Sequence, residues 1–350
     1  MTKIKVGIAG CGQIALGVHL PILLRTPNVE IAALADTDKT RLRAAASFAP
    51  QAATFRDSEE LLAGSDIDAL LICLPNCLHA SVAIAALNAN KHIYLEKPLA
   101  VTLQDGQAVL RAWKATSLTA MVGFNYRFNK LYETARRVVR SGALGEIVAM
   151  RTVFSLPVHP MPEWKQSVAS GGGVLFDLAS HHIDLVHHIF GSEICSVAAE
   201  SERDRGESAT LELRLRNGVR VQSFFSLAAA EEDRIEVYGR EAKLSVDRHL
   251  SSAVQVAECT NHSVRLQQLR GLLRSVAHLP YLLEKRRAPA FEPSYTNTLK
   301  SFVSAVRSGR GIPPDLNDGY RSLVVVRAAV ESALTGRRIE LPSDHEDFAA

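Results

Sequence analysis

Asp177 and His181 stand four residues apart, directly behind three consecutive glycines, Gly171 to Gly173. On a helix this spacing puts both on one face, about 6 Å apart along the axis. Histidine ionises near neutrality and a neighbouring carboxylate tunes it, so the pair suits transfer of a hydroxyl proton. At 100° per residue Asp184 and His188 fall within about 60° of the same face, with Leu178, Leu185, Ile189 and Phe190 opposite. His188 lies about 16 Å from Asp177 along the axis, too far for one small ligand to span both. Asp184 is therefore expected to pair with a neighbouring histidine or with backbone, and His182 and His187 to be incidental. An ordinary solvated helix surface and a shared metal ion are the alternatives. No outside cluster supplies further ligands, so no metal is expected. The glycines would let main chain lie close to a ligand.

A third reactive group is Lys97, in Glu96-Lys97-Pro98 at the end of an apolar strand. The proline restricts the backbone of Lys97 and admits a cis peptide. A lysine held there supplies positive charge that lowers the pKa of an alcohol and orients it. Ionising a substrate hydroxyl needs that support and a base.

The elements that must position these groups begin with "KIKVGIAGCGQIALG". Strand Ile4–Ala9 runs into Gly10, Gly12 and Ala15, the GxGxxA dinucleotide fingerprint. Gly10 allows a tight turn, Gly12 lets backbone approach a pyrophosphate, and Ala15 lets the helix pack on the strand. Pro21 interrupts that helix, starting a second short one. A second strand ends in Asp36, 24 residues after Gly12, where a carboxylate binds the adenosine ribose and repels a 2′-phosphate. Arg41 is the nearest partner for such a phosphate, so NAD is favoured over NADP. Glu59–Leu62 reads as a short helix, "DALLICL" and "HIYLEKP" as buried strands, and Thr119–Phe128 is counted as the sixth strand. The alternation indicates a doubly wound parallel sheet, with ligands beyond the carboxyl ends of its strands. Asp36, Pro75-Asn76, Glu96-Lys97 and Asn125-Arg127 fall at that rim. Asn76 sits where a nicotinamide ribose would pass, and His79 opens the next helix as a cofactor contact or a structural residue. Asn125 and Arg127 are candidates for substrate hydroxyls or a phosphate. Trp164 and Lys165 are candidates for a substrate wall.

Beyond residue 145 the period changes to alternation. Leu211, Leu213 and Leu215 share one strand face against Glu212, Arg214 and Arg216, and Asn217-Gly218 is a hairpin turn. An α+β domain with an open, mostly antiparallel sheet follows, its exposed face suited to a homodimer or homotetramer. Leu316 to Leu334 forms a final helix expected to pack back on the first domain. Residues 262–287 carry six Lys and Arg against one Glu, an amphipathic surface helix or a seat for an anionic substrate or acidic lipid.

At 350 residues, 47% apolar and 22% charged, the chain suits a two-domain globular protein. A formal charge of +3 is too small to indicate nucleic acid, and the absence of a long apolar run excludes membrane insertion. Five scattered cysteines, Cys11, Cys73, Cys77, Cys195 and Cys259, suit a reducing, cytoplasmic compartment rather than a disulfide or metal framework.

These blocks, in order, resemble the Gfo/Idh/MocA oxidoreductases. They are Gly10-Cys11-Gly12-Gln13-Ile14-Ala15, Pro75-Asn76 with His79, Glu96-Lys97-Pro98, Gly123-Phe124-Asn125-Tyr126-Arg127-Phe128, and the triple glycine ahead of Asp177 and His181. Leu74 departs from the threonine or serine common there. The resemblance implies an NAD(P)-binding Rossmann domain over 1–122 and a substrate and oligomerisation domain over 123–350. It implies hydride transfer between a nicotinamide and a secondary alcohol of a sugar, cyclitol or sugar derivative. Lys97, Asp177 and His181 map to the family's catalytic lysine, aspartate and histidine. Gly10, Gly12, Gln13, Ile14, Asp36, Leu74, Pro75, Asn76, His79, Glu96 and Lys97 would face the cofactor. Lys97, Asn125, Arg127, Trp164, Asp177 and His181 would face the substrate. Two alternatives are an enzyme that uses NAD transiently to cleave a glycoside, and a non-catalytic regulator sensing NAD and sugar.

Overall fold

The computed structural model describes residues 3–202, 206–258, 279–311 and 313–342. The chain divides into two compact units, one running to Asn125 and including 288–323, the other holding 126–287 and the chain from Val324. Where the sequence suggested one boundary after residue 122, the chain thus passes between units after 125, 287 and 323. Local periodicity does not reveal such a return, because it is secured by distant contacts. Phe302 lies edge-on to Tyr94 at 5.7 Å and Tyr295 to His19 at 6.2 Å. The expected final helix, Leu316–Thr335, begins in the first unit and ends in the second. Its first turns pack in the first unit, where a side chain at Gly319 would collide with Val122 and Leu99.

The first unit is built on six parallel strands: β1 Ile4–Ala9, β2 Val29–Ala35, β3 Ala53–Phe55, β4 Ala69–Ile72, β5 His92–Leu95 and β6 Ala120–Val122. Their order, β3-β2-β1-β4-β5-β6, is that of a doubly wound sheet, and β4 is buried throughout. The short β3 is half-exposed, which is why no apolar run marks it. The sixth strand ends at Val122, and Asn125–Phe128 form a 3-10 turn instead. Alternating aromatic and polar residues suit that turn equally, since it buries both Phe124 and Tyr126. Asn129 then caps the next helix, its side chain accepting from Leu131 N at 2.9 Å. Pro21 stands, as expected, at the start of a second short helix. A π turn at Ala15–His19, closed by Leu20 N donating to Ala15 O, leads straight into Leu20–Leu23. In the first turn of that short helix the N–H that Pro21 lacks would have had no intrahelical partner.

The second unit carries β7 Ile147–Ser155, β8 Ile194–Ser201, β9 Ser208–Leu215, β10 Arg220–Ser226, β11 Glu232–Gly239, β12 Ala242–Asp247, β13 Gln255–Glu258 and β14 Ile339–Glu340. Their order is β13-β12-β11-β7-β10-β9-β8-β14. The β7–β10 pair is parallel and the others are antiparallel. The hairpin turn falls as expected, with Gly218 at φ +89° and Leu211, Leu213 and Leu215 buried while Glu212 and Arg214 are exposed.

Residues 262–278 of the basic segment lie outside the described residues, as does Cys259. Its remainder is a helix, Leu279–Arg287, in which Lys285 donates to the carbonyls of Arg248 and His249 and Glu284 pairs with Lys130. Among the described residues no helix is long and apolar enough to cross a membrane, and no group of three metal-ligating side chains occurs.

Candidate functional site

In the first unit the glycine pattern does two different jobs. Gly10 has φ +90°, and a Cβ there would lie 2.3 Å from the Cys73 carbonyl oxygen, so protein itself demands the glycine. A Cβ at Gly12 would meet no protein atom within 4 Å. Its missing side chain therefore leaves room for something other than protein, as a pyrophosphate at the start of the helix through Gln13 and Ile14 requires. Asp36, at the end of β2, accepts from Cys11 N at 2.8 Å, Asp38 N at 2.7 Å and Arg41 Nη2 at 2.9 Å. The carboxylate is thus held at the β1–β2 rim by main chain. Half-exposed Arg41 can leave it for solvent.

Replacing Asp36 with alanine is expected to raise the NADP to NAD ratio of kcat/KM by about 10- to 100-fold. The repelling charge goes and Arg41 is released toward a 2′-phosphate. An unchanged ratio would remove Asp36 from the ribose site.

His79, open between a cofactor contact and a structural residue, has main-chain partners here. It is fully buried, with Nδ1 2.7 Å from Pro98 O and Nε2 2.9 Å from Leu74 O. Both ring nitrogens face main-chain oxygens, so the imidazole ties the turn of Leu74, Pro75 and Asn76 to the loop after Lys97. The Lys97-Pro98 peptide is cis, and Lys97 follows β5 half-buried. Sequence reasoning missed the partner of Glu96. Buried His19, on the π turn, places Nε2 2.7 Å from Glu96 Oε1. Burial would push the Glu96 carboxyl up, but the His19 contact and the charge of Lys97 outweigh it and hold it below its ordinary range. Nothing in the sequence links two residues 77 positions apart. Asn125, also in the first unit, is buried and donates to Ser294 Oγ at 2.8 Å.

In the second unit the triple glycine has an explanation other than a ligand. A Cβ at Gly172 would sit 2.3 Å from the carbonyl oxygen of Lys165 and 2.7 Å from that of Trp164. Gly173 N donates to Lys165 O at 2.8 Å and Gly172 N to Ser167 O at 2.8 Å. The glycines let the Glu163–Gln166 turn press against the start of the helix. The turn then delivers Lys165 Nζ to both oxygens of Asp177, at 3.0 and 3.2 Å. Lys165 also lies 5.7 Å from the centre of the Trp164 ring. Asp177 belongs to a π turn, Leu175–Ala179, and His181 to the α-helix Ser180–Phe190 that continues it. Such bulges are frequent at functional sites.

The expected polar stripe does not form. Residues 180–187 are all buried, because the helix packs on every side. For Asp184 a neighbouring histidine or backbone was expected as partner, and the structure supplies an arginine. It receives Arg127 Nη2 at 2.6 Å and Nε at 2.9 Å, a buried bidentate pair. Two donors of Arg127 are thereby held inside the unit. His182 is not incidental either: its Nε2 lies 3.1 Å from Asp233 Oδ1, deep in the interior.

Strand ends carrying a dinucleotide frame, and a second unit presenting an aspartate and a histidine from a buried helix, define an NAD-binding oxidoreductase built in two parts. The family model described as "Oxidoreductase family, NAD-binding Rossmann fold" matches residues 4–124, and the GFO/IDH/MocA C-terminal domain model matches 132–245. The chain belongs to the Gfo/Idh/MocA oxidoreductase family. It is 25% identical to a myo-inositol 2-dehydrogenase of Thermotoga maritima over 96% of this chain and 98% of the relative. It is 26% identical to a dTDP-3,4-didehydro-2,6-dideoxy-alpha-D-glucose 3-reductase of Streptomyces antibioticus, over 88% and 90%. The WlbA dehydrogenase of Bordetella pertussis, solved with NADH and UDP-GlcNAcA, has the same fold. Its TM-score is 0.82 at 22% identity, covering 98% of this chain and 99% of that one.

Proposed function

We propose that the protein interconverts a secondary hydroxyl and a ketone on a sugar, cyclitol or sugar derivative, with Lys97 and His181 assisting proton transfer. The observation that carries this reading is the rim where Gly12, Asp36 and Lys97 follow the ends of β1, β2 and β5, with free space at Gly12. Gly12 and Asp36 would hold NAD, which when bound would supply the hydride acceptor. Lys97 offers its ammonium to the substrate oxygen, stabilising the alkoxide as it develops. His181 takes the proton of the reacting hydroxyl in oxidation and returns it in reduction. Asp177 accepts from a substrate hydroxyl and balances the imidazolium that results. Lys165 keeps that carboxylate ion-paired and oriented before substrate arrives. The relatives named for inositol and for a dTDP-sugar both act on rings carrying secondary oxygens, which supports this substrate class.

A panel of cyclitols, free sugars and nucleotide sugars, followed by the absorbance of reduced nicotinamide, tests the reading. Turnover of at least one ring alcohol with NAD is expected. Product formed with no net NADH would replace it with the transient-oxidation mechanism, and NAD binding without turnover of any of them would leave a sensor.

A further inference from the structure

The second unit buries an ionised cluster that hydride chemistry does not itself use. Asp233, on β11, is wholly buried. Its carboxylate accepts from Tyr126 OH at 2.5 Å, Tyr132 OH at 2.7 Å and Arg248 Nε at 2.6 Å, with His182 Nε2 at 3.1 Å. Its own carbonyl accepts from Arg248 N at 2.7 Å. Burial alone would push the Asp233 carboxyl up. The Arg248 charge and the His182 contact outweigh it and hold the carboxyl far below the usual range. Such a group is costly to bury and cannot be loosened cheaply. What it holds is informative. The ring of Tyr126 is stacked on the imidazole of His181, centres 4.6 Å apart and planes at 22°. The Arg248 guanidinium carbon lies 5.0 Å from the same Tyr126 ring centre.

We propose that Asp233 is a remote positioning residue: by gripping the hydroxyl of Tyr126 it fixes the aromatic plane on which the His181 imidazole rests. The inference rests on His181 being the proton-transfer residue. Tyr126 arrives from the 3-10 turn after β6, Asp233 from β11 and His181 from the long helix, so three separate elements converge on one imidazole orientation. A phenol anchored at its far end cannot slide along the ring it supports. An unanchored one can, and sub-ångström to 1 Å displacements of a catalytic group cost up to about 100-fold in rate.

The comparison that tests this is Tyr126→Phe against Tyr132→Phe in the full-length enzyme. Each removes one hydroxyl from the same carboxylate, and Tyr126 is the one whose stack on His181 carries the argument. Y126F is expected to lower kcat by about tenfold, with KM for NAD unchanged. Y132F is expected to lower kcat by less than about threefold. In spectra of the holoenzyme, the His181 ring protons, shielded by the tyrosine ring, should shift in Y126F more than in Y132F. Equal losses in the two variants, or an unchanged kcat and His181 spectrum in Y126F, overturn the proposal. Should Y126F not fold, Arg248→Lys keeps Asp233 paired while removing the planar group over Tyr126. That variant leaves the Tyr126 hydroxyl bond in place and serves as the control. Asp233→Asn keeps the side chain's size and removes the carboxylate charge that holds the hydroxyl. It must then lower kcat at constant KM for NAD and shift the His181 ring protons; seeing neither change overturns the proposal. Full activity in His181→Ala would instead defeat the underlying assignment of the base.

Discussion

Lys97→Met is expected to lower kcat by about 10²- to 10⁴-fold while changing the Kd for NAD by less than about tenfold. The substitution keeps a side chain of similar length and removes only the charge. On the proposed reading the dinucleotide would still be held at Gly12 and at Asp36, whose carboxylate is fixed by the main-chain amides of Cys11 and Asp38. What is lost is stabilisation of the alkoxide, which matters in the transition state and little in the ground state, so the effect falls on kcat. The measurement is steady-state kinetics on the best substrate of the panel, with NAD binding followed separately by titration. Wild-type kcat in the variant would remove Lys97 from the chemistry. Loss of NAD binding in parallel would recast it as a cofactor contact.

Gly172→Ala has the second largest expected effect, and its origin is steric. The added methyl would begin 2.3 Å from the Lys165 carbonyl oxygen and 2.7 Å from that of Trp164. Both are main chain, so the Glu163–Gln166 turn must move away as a body. Lys165 then leaves Asp177, and the helix start that bears Asp177 loses the contact from Lys165 O to Gly173 N. A displacement of about 1 Å is enough to cost about 100-fold in kcat/KM for the sugar. NAD affinity should be unaffected, because the substitution lies outside the unit that holds Gly12 and Asp36. A variant with normal kcat/KM would show that the turn can yield without disturbing Asp177.

The dinucleotide frame was legible in the chain because its signals are local. Gly10, Gly12 and Ala15 follow an apolar strand at a fixed offset, and Asp36 ends the next strand. The periods that distinguish buried parallel strands from the alternating β9 and β10 are likewise short-range. Lys97, Asp177 and His181 stood out because their residue types and neighbours are unusual together, and the roles proposed for them rest on their chemistry and on the family resemblance.

Tertiary structure alone decided who pairs with whom. Asp184 binds Arg127 from 57 residues away, and His182 meets Asp233 across 51. The triple glycine reads as room for a ligand; at Gly172 the missing side chain makes room for the protein's own Trp164–Lys165 main chain. Helical periodicity reports which residues share a face. It carries no information on whether solvent, ligand or another strand covers that face. A helix buried on every side therefore reads as amphipathic until its neighbours are in place.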